Sequence, residues 1–188
     1  LSLILVMLGC IVMGMGVPTG AAYLIIAIVL GPALERLGLP TIAAHLFVVY
    51  FGVLSVVTPP VALAAFAAAP IAGAKPMETG FEAVRLAIAG FIIPFIFVYH
   101  QDVLIIIDGF KLNGLLWAVF VFVISSWLIG TGLSGYDTRH MLIWERVLRL
   151  IVGITVLFPD FLISVPSVII AIIIIGWHKF GNRKLVSD

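Results

Sequence analysis

The sequence predicts an all-α integral membrane protein: a re-entrant hairpin and a discontinuous transmembrane helix, followed by further C-terminal transmembrane helices. Three observations carry this prediction. Hydrophobic residues make up 63% of the 188 and charged residues 10%, and the mean hydropathy is +1.31, all far from the averages of soluble domains. The uncharged runs are long and rich in Ile, Leu, Val and Phe, without the ten-residue alternation and regular turns of an outer-membrane barrel. Two of these runs are interrupted by Gly, Pro and Thr. In hydrocarbon, unwound backbone is tolerated only where protein covers it or where it lines an aqueous cavity.

Residues 1–34 carry no charged side chain. Within them, Gly14-Met15-Gly16-Val17-Pro18-Thr19-Gly20 should break a helix, because the glycines leave the backbone loosely constrained and Pro18 supplies no N–H. The flanking apolar stretches, Leu1 to Met13 and Ala21 to Leu34, are each too short to span a bilayer. A re-entrant hairpin over 1–34 fits this pattern, with a single kinked span as the alternative. A glycine patch for close helix packing is the plainer reading of the same residues. Glu35 to Pro40 is the first charged and turn-rich stretch, so the chain surfaces there.

Residues 41–74 read as one discontinuous transmembrane helix. Thr41 to Val57 is apolar, Thr58-Pro59-Pro60 cannot continue a helical ladder, and Val61 to Ala74 resumes it. A simple kink is the plainer reading of the prolines. Residues 75–85 form a polar, cytoplasmic interfacial segment in which Glu78, Glu82 and Arg85 are solvated charges. Residues 86–100 form a span with a kink expected at Pro94. Residues 101–188 comprise a short apolar run, three further transmembrane helices (Gly114 to Gly130, Met141 to Phe158 and Phe161 to Trp177) and a basic tail. Trp117 and Trp127 are placed as interfacial anchors. Glu145 and Arg149, four apart with the acid first, read as a helical surface pair, so that helix is expected to start outside the hydrocarbon.

The basic residues orient the chain. With a cytoplasmic C-terminus, Lys75, Arg85, Arg139, Arg146, Arg149, Lys179, Arg183 and Lys184 share one side and only Arg36 and Lys111 the other, as the positive-inside rule requires. The hairpin then enters from the outer side. The start at Leu1-Ser2-Leu3 has no signal-peptide pattern, and the chain is expected to be the C-terminal part of a longer one. A net charge of +1 with scattered basic residues gives no nucleic-acid footprint. The lone cysteine, Cys10, excludes an intrachain disulfide and reads as a small packing residue.

Two breaks 39 residues apart, at Thr19 and Thr58, can meet if the hairpin tip lies beside the broken helix. Unwound carbonyls with threonine or serine hydroxyls would then form an oxygen cage suited to Na⁺, while the helix starts that follow present positive dipole ends to an anion. Neither loop holds a carboxylate, so sodium coordination by Thr19 and Thr58 with backbone oxygen is favoured over a proton relay. His45 is the alternative proton carrier, although a hydrogen-bonded packing histidine is the plainer reading. Tyr23, Tyr50 and Phe66 read as pocket or core aromatics. An intramembrane enzyme would need a nucleophile with a base, and Cys10, Ser55 and the histidines show no such spacing. A channel is a third class, separable from a carrier by whether flux saturates.

Gly14 to Tyr23, then Ala44-His45-Leu46-Phe47, then Thr58-Pro59-Pro60 running on to Phe66, resembles the C-terminal half of the large membrane (M) subunit of tripartite ATP-independent periplasmic (TRAP) transporters. More narrowly it is similar to the TAXI-type fused permeases. The resemblance covers about residues 1–99, and 101–188 is similar to the extra C-terminal helices of that branch. It implies an elevator-type, secondary active permease of the inner membrane, built from inverted repeats and driven by an ion gradient. It also implies a periplasmic substrate-binding protein that delivers small organic anions, and an upstream half of the same permease. No cofactor is implied beyond the coupling ion. Carried onto this chain, Gly14, Gly16, Pro18 and Thr19 of the tip and Ser55, Thr58, Pro59 and Pro60 of the broken span would help form one ion site and part of the substrate pocket. Gly20 stands where the family often carries a second threonine. The substrate itself is not legible, because pocket polarity here is mostly backbone.

Overall fold

A computed structural model of the chain describes residues 1–105 and 110–180. Ile106, Ile107 and Asp108 of the short apolar run, the Lys179 side chain, and Arg183 and Lys184 of the basic tail lie outside the described residues. The described residues are all helix, turn or irregular chain, with one isolated bridge between Tyr136 and His140. The chain divides into two compact units, Leu1–Ile107 and Asp108–Asp188.

In the first unit, α1 (Ser2–Gly14), α2 (Thr19–Arg36) and α3 (Thr41–Leu54) pack on one another, and α3 also packs on α6 (Ile88–Tyr99). Their shared core is Cys10, Ile11, Ala22, Ile26, Leu34, Ala44, Phe47, Val48 and Phe51. Phe47 and Phe51, one helical turn apart, meet edge to face at 4.8 Å, and Phe95 of α6 packs edge to face on both, at 5.6 and 5.8 Å. The outer faces are as apolar as the core. Leu5, Val12, Leu24 and Ile28 are exposed, Ile28 by 76%. A helix apolar all round is stable only where hydrocarbon replaces water, so this unit is built for a bilayer.

Beyond α3 the chain makes one 3₁₀ turn, Ser55–Val57, then the short α4 (Leu63–Ile71) and α5 (Pro76–Leu86), which packs back on α4. The Lys75–Glu78 ion pair at 2.9 Å and the Glu82–Arg85 pair lie on the exposed side of α5. The span expected over residues 86–100 is only twelve helical residues long as α6, about 18 Å, against roughly 30 Å of hydrocarbon. By length and composition, α5 and α6 reach a span only when taken together, and they meet at a 43° bend at Ala87. The helix runs on through Pro94.

The second unit contains α7 (Leu112–Ser134), α8 (Ile143–Thr155) and α9 (Phe161–Phe180). With α2, α7 and α9 are the described helices long and apolar enough to cross a membrane by themselves. α8 has thirteen residues, about 20 Å. The chain is therefore an all-α, multi-pass membrane protein. Gly135, at φ 71°, ends α7 in the left-handed conformation that glycine adopts without strain. The Arg146 guanidinium donates to the last-turn carbonyls of Gly132 at 3.0 Å and Leu133 at 2.9 Å, placing a cation at the negative end of that helix.

One expectation is overturned here. Glu145 and Arg149 are not a surface pair: they are 5% and 0% exposed, while Ile143, Trp144, Val147, Ile151 and Ile154 face outward. Spacing by four puts two charges on one face of a helix but does not say which way that face points. α8 is inverted relative to a water-soluble helix, as a lipid-facing helix should be. Arg146 and Arg149 are likewise engaged by α7, Asp137 and Glu145. This leaves the orientation argument to the remaining basic residues.

Candidate ion and substrate site

The hairpin tip is four residues long. α1 ends at Gly14, Met15 is extended, Gly16 takes φ 75°, and Pro18 caps α2, whose first residue is Thr19. A positive φ at Gly16 is open to glycine at little cost, so this residue type is required by the turn itself. The second break is longer. α3 gives way to the Ser55–Val57 turn, Thr58 becomes extended at φ −97° and ψ 122°, Pro59 and Pro60 follow through a cis bond, and Ala62 sits at φ 33° before α4 begins. Pro60 has no N–H to offer the Val56 carbonyl, so the helical ladder cannot close across this point. A left-handed alanine costs energy and persists only where its surroundings over-determine it.

The two breaks touch. A methyl group added at Gly14 would lie 2.7 Å from Ser55 Oγ and 3.0 Å from the Gly52 carbonyl oxygen, so the end of α1 is pressed onto the end of α3. On the other side of the tip, a methyl at Gly16 would lie 3.9 Å from the Val61 side chain. Gly14 and Ser55 are buried in this contact, and Thr58 and Pro59 are half-buried beside it. Gly16, Pro18, Thr19, Gly20 and Pro60 are exposed. Gly14 is thus a close-packing glycine, and what it packs against is the end of α3 where the helix breaks.

The hydroxyls have a defined direction. Ser55 donates to the Gly52 carbonyl at 2.6 Å, and Thr58 donates to the Leu54 carbonyl at 2.7 Å. Each proton therefore points back into α3, and the oxygen lone pairs remain available to accept a donor or coordinate a cation. Alkali and alkaline-earth cations take oxygen ligands of this kind, hydroxyl and carbonyl. A methyl at Gly20 would meet nothing within 4 Å, so the position has room for a larger side chain. His45 is hydrogen-bonded through Nδ1 to the Tyr23 hydroxyl at 2.9 Å, tying α3 to α2.

Two contributors went unrecognised in the sequence. Gly80, the one buried residue of α5, faces the break: a methyl there would lie 3.0 Å from Pro59 Cγ, 3.4 Å from Phe66 and 3.5 Å from Ala62. A glycine in the middle of a charged amphipathic helix was the available signal. Ala62 gave none, since alanine does not announce a left-handed backbone.

A family profile described as "Tripartite ATP-independent periplasmic transporter, DctM component" matches residues 1–112. The chain belongs to this family. The match includes every residue of the tip and of the break, so the DctM component assignment and the geometry concern the same part of the molecule. No curated protein and no solved structure matches the chain significantly. The DctM family is a transporter component, and this chain is accordingly a membrane permease of the TRAP class. Residues 113–188 lie beyond the matched stretch.

Proposed function

We propose that residues 1–74 form one ion and substrate half-site of a secondary active importer, with Na⁺ as the coupling ion and a small organic anion as the substrate. The observation that carries this reading is the Gly14–Ser55 contact, which presses the tip of one broken element onto the break of another. Beside it, the Ser55 and Thr58 hydroxyls hold their lone pairs free for a cation. The starts of α2 and α4 offer backbone N–H groups and positive dipole ends to a carboxylate. In this reading the hairpin is re-entrant and enters from the outer face of the inner membrane, the C-terminus is cytoplasmic, and an upstream half supplies the matching half-site. A periplasmic binding protein delivers the substrate, and the permease is of the TAXI type and moves as an elevator.

The test is uptake by the full-length permease reconstituted with its binding protein. Uptake should require an inward Na⁺ gradient and collapse when Thr19 and Thr58 are both replaced by Val. Undiminished uptake without Na⁺ would contradict sodium coupling. Uptake that instead follows a proton gradient and is lost in His45→Gln would move the coupling site to the Tyr23–His45 pair.

A further inference from the structure

Regular helical hydrogen bonds stop at Thr58-Pro59-Pro60, so they do not fix α4 relative to α3. The break nevertheless keeps one geometry. Ala62, fully buried, holds a left-handed backbone at φ 33°, which persists only where its surroundings over-determine it. Those surroundings come from the two helices that follow. α5 and α6 meet at the Ala87 bend, and one arm of this elbow rests on the residues before the break while the other rests on those after it.

The α6 arm lies on α3. A methyl added at Gly90 would lie 3.3 Å from Cδ2 of Leu54, the last residue of α3, and Phe91 beside it meets Phe51 at 6.3 Å between ring centres. The α5 arm lies on the far side. A methyl at Gly80 would lie 3.0 Å from Pro59 Cγ, 3.4 Å from the Phe66 ring of α4 and 3.5 Å from the Ala62 methyl. Inside a helix, glycine costs stability relative to alanine, so propensity alone disfavours it at both positions. The two contacts differ in stiffness. Gly90 faces the flexible end of a leucine, whereas Gly80 faces a proline ring, which has little freedom to give way.

Thr58 sits where the two arms converge. Its hydroxyl donates to the Leu54 carbonyl at 2.7 Å, its carbonyl accepts from the Ala62 N–H at 3.1 Å, and the next residue is Pro59. Leu54, Ala62 and Pro59 are the residues against which Gly90 and Gly80 pack. A displacement of either arm therefore reaches Thr58 through a single hydrogen bond or peptide bond.

We infer that the α5–α6 elbow is a splint for the broken helix, and that Gly80 is a positioning residue that fixes where the Thr58 oxygens stand. It holds α4 against α3 where the backbone ladder cannot. That these oxygens bind Na⁺ rests on the reading proposed above; that the elbow sets the geometry between α3 and α4 does not.

Two readouts keep the two claims apart. In the purified full-length permease, spin labels at Ile42→Cys on α3 and Ile71→Cys on α4, both exposed, report the distance across the break by pulsed electron resonance, and the native Cys10 is fully buried, out of the label's reach. In the permease reconstituted with its binding protein, the Na⁺ concentration for half-maximal uptake reports the site. Gly80→Ala should shift or broaden the distance distribution and raise the half-saturating Na⁺ severalfold, with the maximal rate nearly kept. Gly90→Ala should do the same more weakly. In a Pro59→Ala background, which lacks the ring that the methyl meets, adding Gly80→Ala should change neither readout further. Should Gly80→Ala alone fail to fold, recovery of folded protein by Pro59→Ala supports the splint and failure to recover it contradicts it. An unchanged distance in Gly80→Ala with a raised melting temperature, as helix propensity alone would give, would overturn the splint. So would an effect of Gly80→Ala as large in the Pro59→Ala background as in the wild type. A changed distance with Na⁺-dependent uptake whose half-saturating Na⁺ does not move would overturn the positioning role of Gly80. A changed distance in a permease whose uptake needs no Na⁺ would uphold the splint and contradict the sodium reading instead.

Discussion

The two units solve one problem, placing polar groups in an apolar protein, in opposite ways. Leu1–Ile107 breaks its helices and exposes backbone, with hydroxyls and no carboxylate at the breaks. Asp108–Asp188 keeps α7, α8 and α9 regular and instead buries polar side chains, Glu145 and Arg149 on an inverted face of α8 and His178 on α9, with the half-buried Asp137 of the α7–α8 turn beside them. Broken backbone offers oxygens of moderate field that release a small cation as readily as they take it. Buried ion pairs hold fast, because removing either partner strands the other. The first arrangement suits a transported ion, and the second suits a structural joint.

Substitutions that treat the two units differently test this contrast. The largest effect is expected from Arg149→Met, which leaves the buried Glu145 and the half-buried Asp137 without their guanidinium and should destabilise the second unit by about 3–5 kcal/mol, read by chemical unfolding in detergent. Gly14→Ala forces a methyl to within 2.7 Å of Ser55 Oγ. It should cost about 1–3 kcal/mol by overpacking and, in the reconstituted permease, impair transport beyond what the stability loss explains. Gly20→Thr falls in open space, so folding should be nearly unchanged and any effect should be on ion affinity, measured as the Na⁺ concentration giving half-maximal uptake. The smallest effect belongs to Glu78→Gln. Its pair with Lys75 is exposed on both sides, and the change in stability should stay within about 0.5 kcal/mol. If Glu78→Gln proved as damaging as Arg149→Met, burial would not be what separates the units.

Much of the first unit was legible because its signals are local. Gly16, Pro18 and Pro59-Pro60 act on the backbone within a turn of themselves, so both helix breaks follow from residue type alone. That the breaks meet through Gly14 and Ser55 is a tertiary fact, and the sequence offered only their spacing. The second unit misled for a related reason. Glu145 and Arg149 show the spacing of a surface pair, but a helix in lipid reverses inside and outside, and only the surroundings of Ile143, Trp144 and Ile151 reveal the reversal. The partners that complete the cluster, Asp137 and His178, lie 8 and 33 residues from Glu145, beyond any periodicity. Gly80 was hidden in the same way, its role set by Pro59 and Phe66 on other elements.

The central claim, that the broken span contributes hydroxyl ligands to a cation site, is tested most directly by equilibrium binding of radioactive Na⁺ to the purified full-length permease. Thr58→Val should abolish one binding component and Thr58→Ser, which keeps the hydroxyl, should retain it. Unchanged Na⁺ binding in Thr58→Val would contradict the account.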